Sequence, residues 1–257
     1  CQGGAHESIW FADNGRKRQP DHDYQYVWGE KAGHVVRMSH SGDIEMELSA
    51  PDLPVYDGGT FSPTQVAVWQ ANLGGNDDIW VADGYGENLV HRFTVSGDHV
   101  LSIDGTEGTA GAFKTPHAIW FDSRKQDPEL YVADRANGRI QVYTPEGIFK
   151  RSFGEDFLLT PTAFAPYGDF LVVAELSARL TILDGDDRFV TYLGDNHAVT
   201  QEPGWPNRLD ETGRPARTNR LRSGLFNSPH GLATDHAGNI FVSEWLIGGR
   251  FIKLARI

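Results

Sequence analysis

The sequence predicts an all-β protein assembled from repeats of one small antiparallel sheet, and three observations support this. A strand that ends in a carboxylate recurs five times, and a second strand follows each copy after a polar turn. Both strands alternate apolar and polar side chains, as half-buried strands do. In four of the five copies a tight turn then leads to a further strand. The five carboxylate strands cover residues 8–13, 78–83, 129–134, 170–175 and 239–244.

An opening strand ahead of the carboxylate strand completes the repeat. Four copies of it begin with proline followed by threonine or histidine, and these two residues alternate along the chain. The pairs are Pro63-Thr64, Pro116-His117, Pro161-Thr162 and Pro229-His230. Antiparallel four-stranded units of roughly 40 to 50 residues, repeated in this way, are typical of a β-propeller. The predicted fold class is therefore all-β, a β-propeller of four-stranded antiparallel blades.

The two ends of the chain bear on the number of blades. Counting back from Asp13 by the spacing of the other repeats places the first opening strand ahead of residue 1, and the last repeat stops after its third strand. We expect residues 1–257 to form a single propeller domain that lacks an N-terminal segment, with five blades visible and six in the complete protein. The alternative is a five-bladed protein whose first blade has eroded.

Composition narrows the classes of partner. The net charge of -12 argues against a nucleic acid, because such partners need a clustered basic face, and basic residues cluster only at 16–18 and 214–222. No apolar run approaches the roughly 20 residues of a membrane span. A single cysteine excludes an internal disulfide and a zinc-thiolate cluster. We expect a monomer with no nucleic-acid partner and no membrane span.

Candidate functional residues gather on one predicted face. Because successive turns of a meander alternate between faces, the start of the opening strand and the loop after the carboxylate share a face. His117 and His230 begin opening strands there, while Tyr85 and Arg135 follow Asp83 and Asp134. Two long insertions, residues 14–32 and 195–227, reach the same face, which favours a functional role. The candidate substrate-binding residues are Trp28, Trp205, Arg208 and Trp245.

Histidines on alternate repeats suggest a metal site. Side chains two blades apart would project toward a central channel, where neutral imidazoles suit a divalent metal such as zinc. With six blades, the third member of the set would belong to the opening strand ahead of residue 1. The alternative is that Pro-His is a turn whose imidazole caps a backbone group. The repeated carboxylates are interpreted as structural partners of backbone amides or of Arg139, Arg179 and Arg250.

The repeats resemble NHL repeats. Residues 81–85 (VADGY), 115–117 (TPH), 132–141 (VADRANGRIQ) and 228–230 (SPH) together resemble the peptidyl-α-hydroxyglycine α-amidating lyases, which are six-bladed propellers. The resemblance implies that His117, His230 and a third histidine hold a catalytic zinc. It also implies that Tyr85 is the base and that Arg135 steadies developing charge. Gly231 replaces an aspartate that helps bind a structural calcium in that family, which puts calcium in doubt, and Ser228 replaces a methionine.

These observations favour a zinc-dependent lyase or hydrolase that acts on a small hydroxylated or carboxylated molecule or a peptide. One alternative is a non-catalytic NHL-repeat module that binds a protein, peptide or glycan. A second is a lactonase-like, metal-dependent propeller hydrolase. That enzyme would need carboxylate and Asn ligands, for which only Asn14, Asn137 and the strand-end acids are available.

Overall fold

The computed structural model describes residues 8–18, 26–28 and 32–256, and it confirms the predicted all-β fold built of antiparallel propeller blades. The chain divides into two compact units, Cys1–Ser152 and Phe153–Ile257. Blades 1 and 2 and all of blade 3 except its last residue belong to the first unit, and blades 4 and 5 belong to the second. Blades 2, 3 and 4 each have four strands in sequence order, while three strands are described for blade 1 and three for blade 5.

The strands begin and end close to the predicted positions. Blade 1 contains β1 (Ser8–Asp13), β4 (His34–Ser39) and β5 (Ile44–Leu48), with the hairpin β2 (Arg16–Arg18) and β3 (Tyr26–Trp28) inserted after β1. Blade 2 contains β6 (Gln65–Trp69), β7 (Asp78–Asp83), β8 (Leu89–Phe93) and β9 (His99–Ile103). Blade 3 contains β10 (Pro116–Asp122), β11 (Glu129–Asp134), β12 (Arg139–Tyr143) and β13 (Phe149–Phe153).

The second unit repeats the same pattern. Blade 4 contains β14 (Pro161–Tyr167), β15 (Phe170–Glu175), β16 (Arg179–Leu183) and β17 (Phe189–Leu193). A short hairpin follows, β18 (Arg208–Leu209) and β19 (Pro215–Ala216), and blade 5 contains β20 (Pro229–Thr234), β21 (Ile240–Glu244) and β22 (Arg250–Leu254). The 3₁₀ helices described are Pro54–Asp57, Ala71–Leu73, Arg135–Asn137 and His197–Gln201.

The core lies between neighbouring blades, because each strand places its apolar side chains on the two faces of its blade. Trp80 is fully buried and packs with Ile119, Phe121 and Val132 of blade 3. In the second unit, Val172 and Leu180 of blade 4 pack with Val242 of blade 5. Burying one such aromatic or branched side chain contributes about 1.5–3 kcal/mol. The blades of each unit are therefore fixed to one another, which makes them a rigid support for the loops.

The carboxylates at the strand ends have the structural role predicted for them. Asp134 accepts a 2.7 Å bond from Arg139 Nε and a 2.7 Å bond from the backbone N–H of Lys114. Glu175 pairs with Arg179 at 2.8 Å, and Glu244 pairs with Arg250 at 3.3 Å. Ionised groups make stronger hydrogen bonds than neutral ones. These acids therefore tie the loop before an opening strand to the third strand of the same blade.

In the part of the chain that is described, no helix combines the length and the apolar character that crossing a membrane requires.

Candidate functional site

The predicted face is present within each unit. Strand register pairs Pro116 with Asp134 in blade 3 and Pro229 with Glu244 in blade 5. The start of each opening strand therefore lies beside the end of the carboxylate strand. Each register also shifts by one residue at this point, between Pro116 and Ala118 and between Pro229 and Gly231. His117 and His230 are the extra residues of these β-bulges, a feature that redirects a side chain and often occurs next to active sites.

A glycine brings the loop that carries Tyr85 close to His117. A Cβ atom on Gly84 would overlap the carbonyl oxygen of Pro116, which belongs to the next blade. Only glycine allows this approach without a shift of backbone, since backbone cannot give way as a flexible side chain can. The Gly84-Tyr85-Gly86 segment thus serves close packing between two blades.

Three of the predicted site residues converge in the first unit. The Tyr85 hydroxyl lies 3.1 Å from Nε2 of His117, and it accepts a hydrogen bond of 3.2 Å from Nη1 of Arg135. The Arg135 guanidinium also lies over the Tyr85 ring at 5.3 Å, and the rings of Tyr85 and His117 meet edge to face with centroids 5.6 Å apart. A cation over an aromatic face is attracted by the ring. The tyrosine, the arginine and one of the histidines singled out in the sequence therefore form one contact group.

Local backbone structure places each member of this group. His117 is buried, with 4% of its surface exposed, whereas Tyr85 and Arg135 are half-buried and so can reach solvent. The N–H of Arg135 donates to the carbonyl of Thr115 at 3.2 Å, which fixes the start of the loop after β11. Asn137, in the same 3₁₀ turn, donates to the Asp134 carboxylate at 2.8 Å.

The backbone just ahead of His117 is strained. Thr115 has a φ of 58°, in the left-handed region that a β-branched residue rarely adopts. The following proline disfavours helical backbone there as well. The Asn88 side chain accepts the N–H of Thr115 at 2.8 Å and helps to hold the strained residue. Strain of this kind costs about 1–3 kcal/mol and collects at functional sites.

A buried polar cluster underlies the Tyr85 loop, and the sequence did not predict it. The Tyr56 hydroxyl donates to Asp83 at 2.7 Å and lies 2.7 Å from Nε2 of His91. The Nδ1 atom of His91 lies 2.7 Å from the Ser102 hydroxyl. Burial raises the pKa of Asp83 to about 6, although hydrogen bonds from backbone N–H groups and from Tyr56 oppose this. Burial, aided by the charge of His99, lowers the pKa of His91 to about 3.

The loop residue of blade 5 that corresponds to Arg135 is Trp245. Both residues follow the strand-end carboxylate directly, and the N–H of Trp245 donates to the carbonyl of Ser228 at 2.9 Å. The Ser228 hydroxyl donates to the Trp245 carbonyl at 2.8 Å, and 49% of the Trp245 surface is exposed. His230 is half-buried at the start of β20. Trp245 therefore stands at the same end of blade 5 as His230.

The other substrate-binding candidates are engaged in their own loops. Trp205 donates its indole N–H to the carbonyl of Asn227 at 2.9 Å. Arg208 is exposed, and its Nε donates to the carbonyl of Arg217 at 3.0 Å. Trp28 lies in β3 with its backbone in register with Arg16, and its side chain is outside the described part of the structure.

The side chains around His117 and Gly231 can be compared with what a metal site requires. Within residues 8–18, 26–28 and 32–256, no group of three or more His, Cys, Asp or Glu side chains could hold an ion. His117 offers a buried imidazole whose Nε2 faces a phenol oxygen, and both atoms are of kinds that bind zinc. At Gly231, a Cβ atom would overlap the Ser243 hydroxyl. A carboxylate side chain at 231 would therefore need Ser243 to move.

Comparison with known proteins supports the same fold. No protein-family model matches the chain. Human NHL repeat-containing protein 3 is 30% identical over 164 residues, which cover 59% of this chain and 44% of that protein. The chain thus spans less than half the length of this curated relative. Together with the blade topology, the similarity supports an NHL-type β-propeller.

Solved structures with a similar fold have low sequence identity. A catalytically inactive histidine-to-alanine variant of virginiamycin B lyase from Staphylococcus aureus, solved with quinupristin, has a TM-score of 0.53 at 14% identity. That similarity covers 99% of this chain and 68% of the lyase chain. A Bacteroides caccae protein of unknown function has a TM-score of 0.51 at 13% identity, covering 86% of this chain and 71% of its own. A nidogen/laminin complex contains a chain with a TM-score of 0.53 at 14% identity, and the similarity covers 83% of this chain and 64% of that chain.

Proposed function

We propose that the protein is a metal-dependent lyase or hydrolase that acts on a small hydroxylated or carboxylated substrate, similar to the peptidyl-α-hydroxyglycine lyases. The observation that carries the proposal is the position of the Tyr85 hydroxyl, 3.1 Å from Nε2 of His117 and 3.2 Å from Nη1 of Arg135. A phenol placed between an imidazole and a guanidinium is suited to proton transfer. The same three residue types in the same order carry the resemblance to the lyases.

Tyr85 would act as the base. Its oxygen accepts a hydrogen bond from a permanently charged group, and such a bond stabilises negative charge on the phenol oxygen. In a peptide that ends in α-hydroxyglycine, the Tyr85 oxygen would take the proton of the substrate hydroxyl. A C=O bond then forms as the C–N bond breaks, and the nitrogen takes the proton back from Tyr85. The products are a carboxamide and glyoxylate.

Arg135 would orient the substrate. A guanidinium carries five N–H donors in a planar fork, so one donor can hold Tyr85 while others bind a substrate carboxylate in a bidentate manner. The hydrogen bond from the Arg135 N–H to Thr115 fixes the backbone that carries this side chain. The arginine thus links recognition of the carboxylate to the position of the base.

The sequence predicts His117 and His230 as metal ligands, and in this proposal each imidazole would bind the ion. A zinc ion held there would supply Lewis acidity toward the substrate hydroxyl or carbonyl oxygen. Zinc is preferred to calcium because the donors are imidazoles, whereas calcium takes oxygen ligands.

Metal content and turnover test the proposal together. The protein, purified without chelator, is assayed for zinc and for glyoxylate release from a peptide that ends in α-hydroxyglycine. We expect His117→Ala to abolish both zinc binding and glyoxylate release. The matched control is His236→Ala, in the exposed turn between β20 and β21, and it should leave both unchanged. Zinc binding that is absent from the wild-type protein, or equal in the two variants, would contradict the metal assignment.

A non-catalytic NHL-repeat binding module is the second candidate function. It is favoured by the mutual contacts of Tyr85, His117 and Arg135, since a histidine that only caps a neighbour would make a bond of this kind. Such a module would bind a peptide or glycan with no zinc, and the assay above separates the two. The lactonase-like alternative has less support, because Asp134 and Asn137 bind each other and the strand-end acids bind backbone amides and arginines.

A further inference from the structure

The two threonines that alternate with the histidines make the same pair of contacts in both units. The Thr64 hydroxyl lies 3.2 Å from the carbonyl of Ala82 in its own blade and 3.0 Å from the carbonyl of Pro116 in the next blade. The Thr162 hydroxyl lies 3.1 Å from the carbonyl of Ala174 and 3.2 Å from that of Pro229. In both cases the hydroxyl donates, and its single proton is shared between two acceptors. The pattern therefore occurs twice, in separate parts of the chain.

The carbonyl reached in the next blade belongs to the peptide bond that enters a histidine. Pro116 precedes His117, and Pro229 precedes His230. Because both histidines are bulged residues, the regular strand register does not set the orientation of this peptide. A rotation of the peptide plane would carry the imidazole with it. The threonine hydroxyl opposes this rotation from the neighbouring blade.

The side chain is well suited to such a task. Threonine is β-branched, so its χ1 angle is stiff and its hydroxyl is held in a narrow range of directions. Thr162 is buried, with 2% of its surface exposed, and Thr64 is half-buried. In blade 2, the Gln65 side chain also accepts the N–H of Ile119 at 2.7 Å. Two adjacent residues of blade 2 thus hold the segment that carries His117.

We propose that Thr64 and Thr162 are positioning residues, each of which sets the direction of the imidazole that begins the next blade. The alternation of threonine with histidine is then a pairing of a positioning blade with a ligand blade. The consequence for zinc rests on the proposed function, whereas the effect on the imidazole itself does not.

The test compares isosteric variants in the metal-free and zinc-loaded protein. Thr64→Val removes the donor and keeps the shape, and Thr64→Ser keeps the donor. In the metal-free protein we expect Thr64→Val to shift the imidazole NMR resonances of His117 and leave those of His230 unchanged, and Thr162→Val to do the reverse. With zinc, the affinity measured against a chromophoric chelator should fall about 10-fold for either valine variant. Thr64→Ser should restore both readouts.

A matched control separates positioning from a general loss of contact between blades. The Thr234 hydroxyl donates to the carbonyl of Pro166 in blade 4 at 2.7 Å, but that carbonyl does not enter a histidine. Thr234→Val should therefore leave both histidines and zinc affinity unchanged. Valine variants whose imidazole resonances match those of the wild type would overturn the inference. If the wild type binds no zinc, the proposed function fails, and the metal-free resonances alone decide the role of the threonines.

Discussion

The surroundings of His117 in the first unit and of His230 in the second share a backbone and differ in chemistry. Both histidines follow a proline and occupy a bulge beside a strand-end carboxylate. In both, a threonine of the preceding blade donates a hydrogen bond to the carbonyl of that proline. The loop positions differ. In the blade that precedes each histidine, the second residue after the carboxylate is Tyr85 for His117 and Ser177 for His230. One residue after the histidine's own carboxylate, Arg135 is replaced by Trp245.

This difference separates the parts of the repeat that support the fold from the loop positions that we propose for function. The bulge and the carboxylate are copied because they hold a blade together, and the threonine is copied because it contacts the peptide bond that enters the histidine of the next blade. The loop residues vary because no ladder hydrogen bond depends on their side chains. Ser177 is buried and its hydroxyl lies 2.7 Å from that of Thr160, so it closes a turn. Tyr85 instead points its hydroxyl at a histidine and an arginine. If the proposed function holds, we therefore expect the acid-base step to take place at Tyr85, beside His117, and the loops around His230 to contribute only binding contacts.

The largest effect should come from removing the Tyr85 hydroxyl. Tyr85→Phe keeps the ring that packs against His117 and Arg135, but it removes the proposed base, so we expect turnover of the α-hydroxyglycine peptide to fall by about 100-fold or more. Ser177→Ala, at the equivalent position for His230, should change turnover by less than about threefold. Steady-state kinetics on both variants checks this. Similar losses in the two variants would show that the sites do not differ in the way described.

A smaller effect is expected for the second pair of equivalent positions. Arg135→Gln removes a charged hydrogen bond, which contributes about 1.5–3 kcal/mol, so kcat/KM should fall by about 10- to 100-fold. Trp245→Ala should raise KM a few-fold and leave kcat unchanged, because an exposed indole can only bind. The split between kcat and KM is the measurement. A loss of kcat in the tryptophan variant would place Trp245 in the chemistry.

The repeat itself could be predicted from the sequence, because strand alternation, turn residues and the terminal carboxylate are local features. The placement of Tyr85, Arg135 and His117 on one face followed from strand connectivity and resemblance, whereas their mutual contacts came from the structure. The buried cluster did not follow from the sequence, because Tyr56 lies in a 3₁₀ turn of the loop between blades 1 and 2, outside the repeated strand pattern. Two features of the sequence nonetheless set blade 2 apart. His91 occupies the strand position of Gln141 and Thr181, each of which donates a hydrogen bond to the strand-end carboxylate of its own blade. Leu89 stands where blades 3, 4 and 5 have an arginine. The loop anchors of Trp205 and Arg208 depend on tertiary contacts that periodicity does not encode.

The close approach at Gly84 gives a prediction about stability. Its Cβ would overlap the Pro116 carbonyl, so Gly84→Ala should lower the free energy of unfolding by about 1–3 kcal/mol and separate Tyr85 from His117. Gly58→Ala is the control, since that glycine is exposed and a Cβ there would meet nothing within 4 Å. Urea unfolding of the two variants measures the difference. Equal midpoints would mean that the loop can move away from blade 3 at little cost.

The smallest net effect is expected in the pH dependence of stability, to which the strand-end carboxylates contribute. In blade 4, Glu175 faces Arg179, whereas in blade 2 the residue that faces Asp83 is Leu89. The pKa of Asp83 is raised from 3.8 to about 6, so between these values the folded state holds a proton that the unfolded state has lost. Its contribution to stability is therefore present at low pH and is lost as pH rises toward 6.

His91 acts in the opposite direction. Its pKa is lowered from 6.5 to about 3, so the unfolded state binds the extra proton, and stability is lost as pH falls below 6.5. Each group contributes a slope of about 1.4 kcal/mol per pH unit, and from pH 4 to 6 the two slopes cancel. Asp83→Asn should therefore make stability fall on acidification over this range, whereas His91→Gln should make it rise. Urea unfolding at pH 4, 5 and 6 gives the slopes, and parallel slopes in the two variants would show that the cluster does not titrate as a pair.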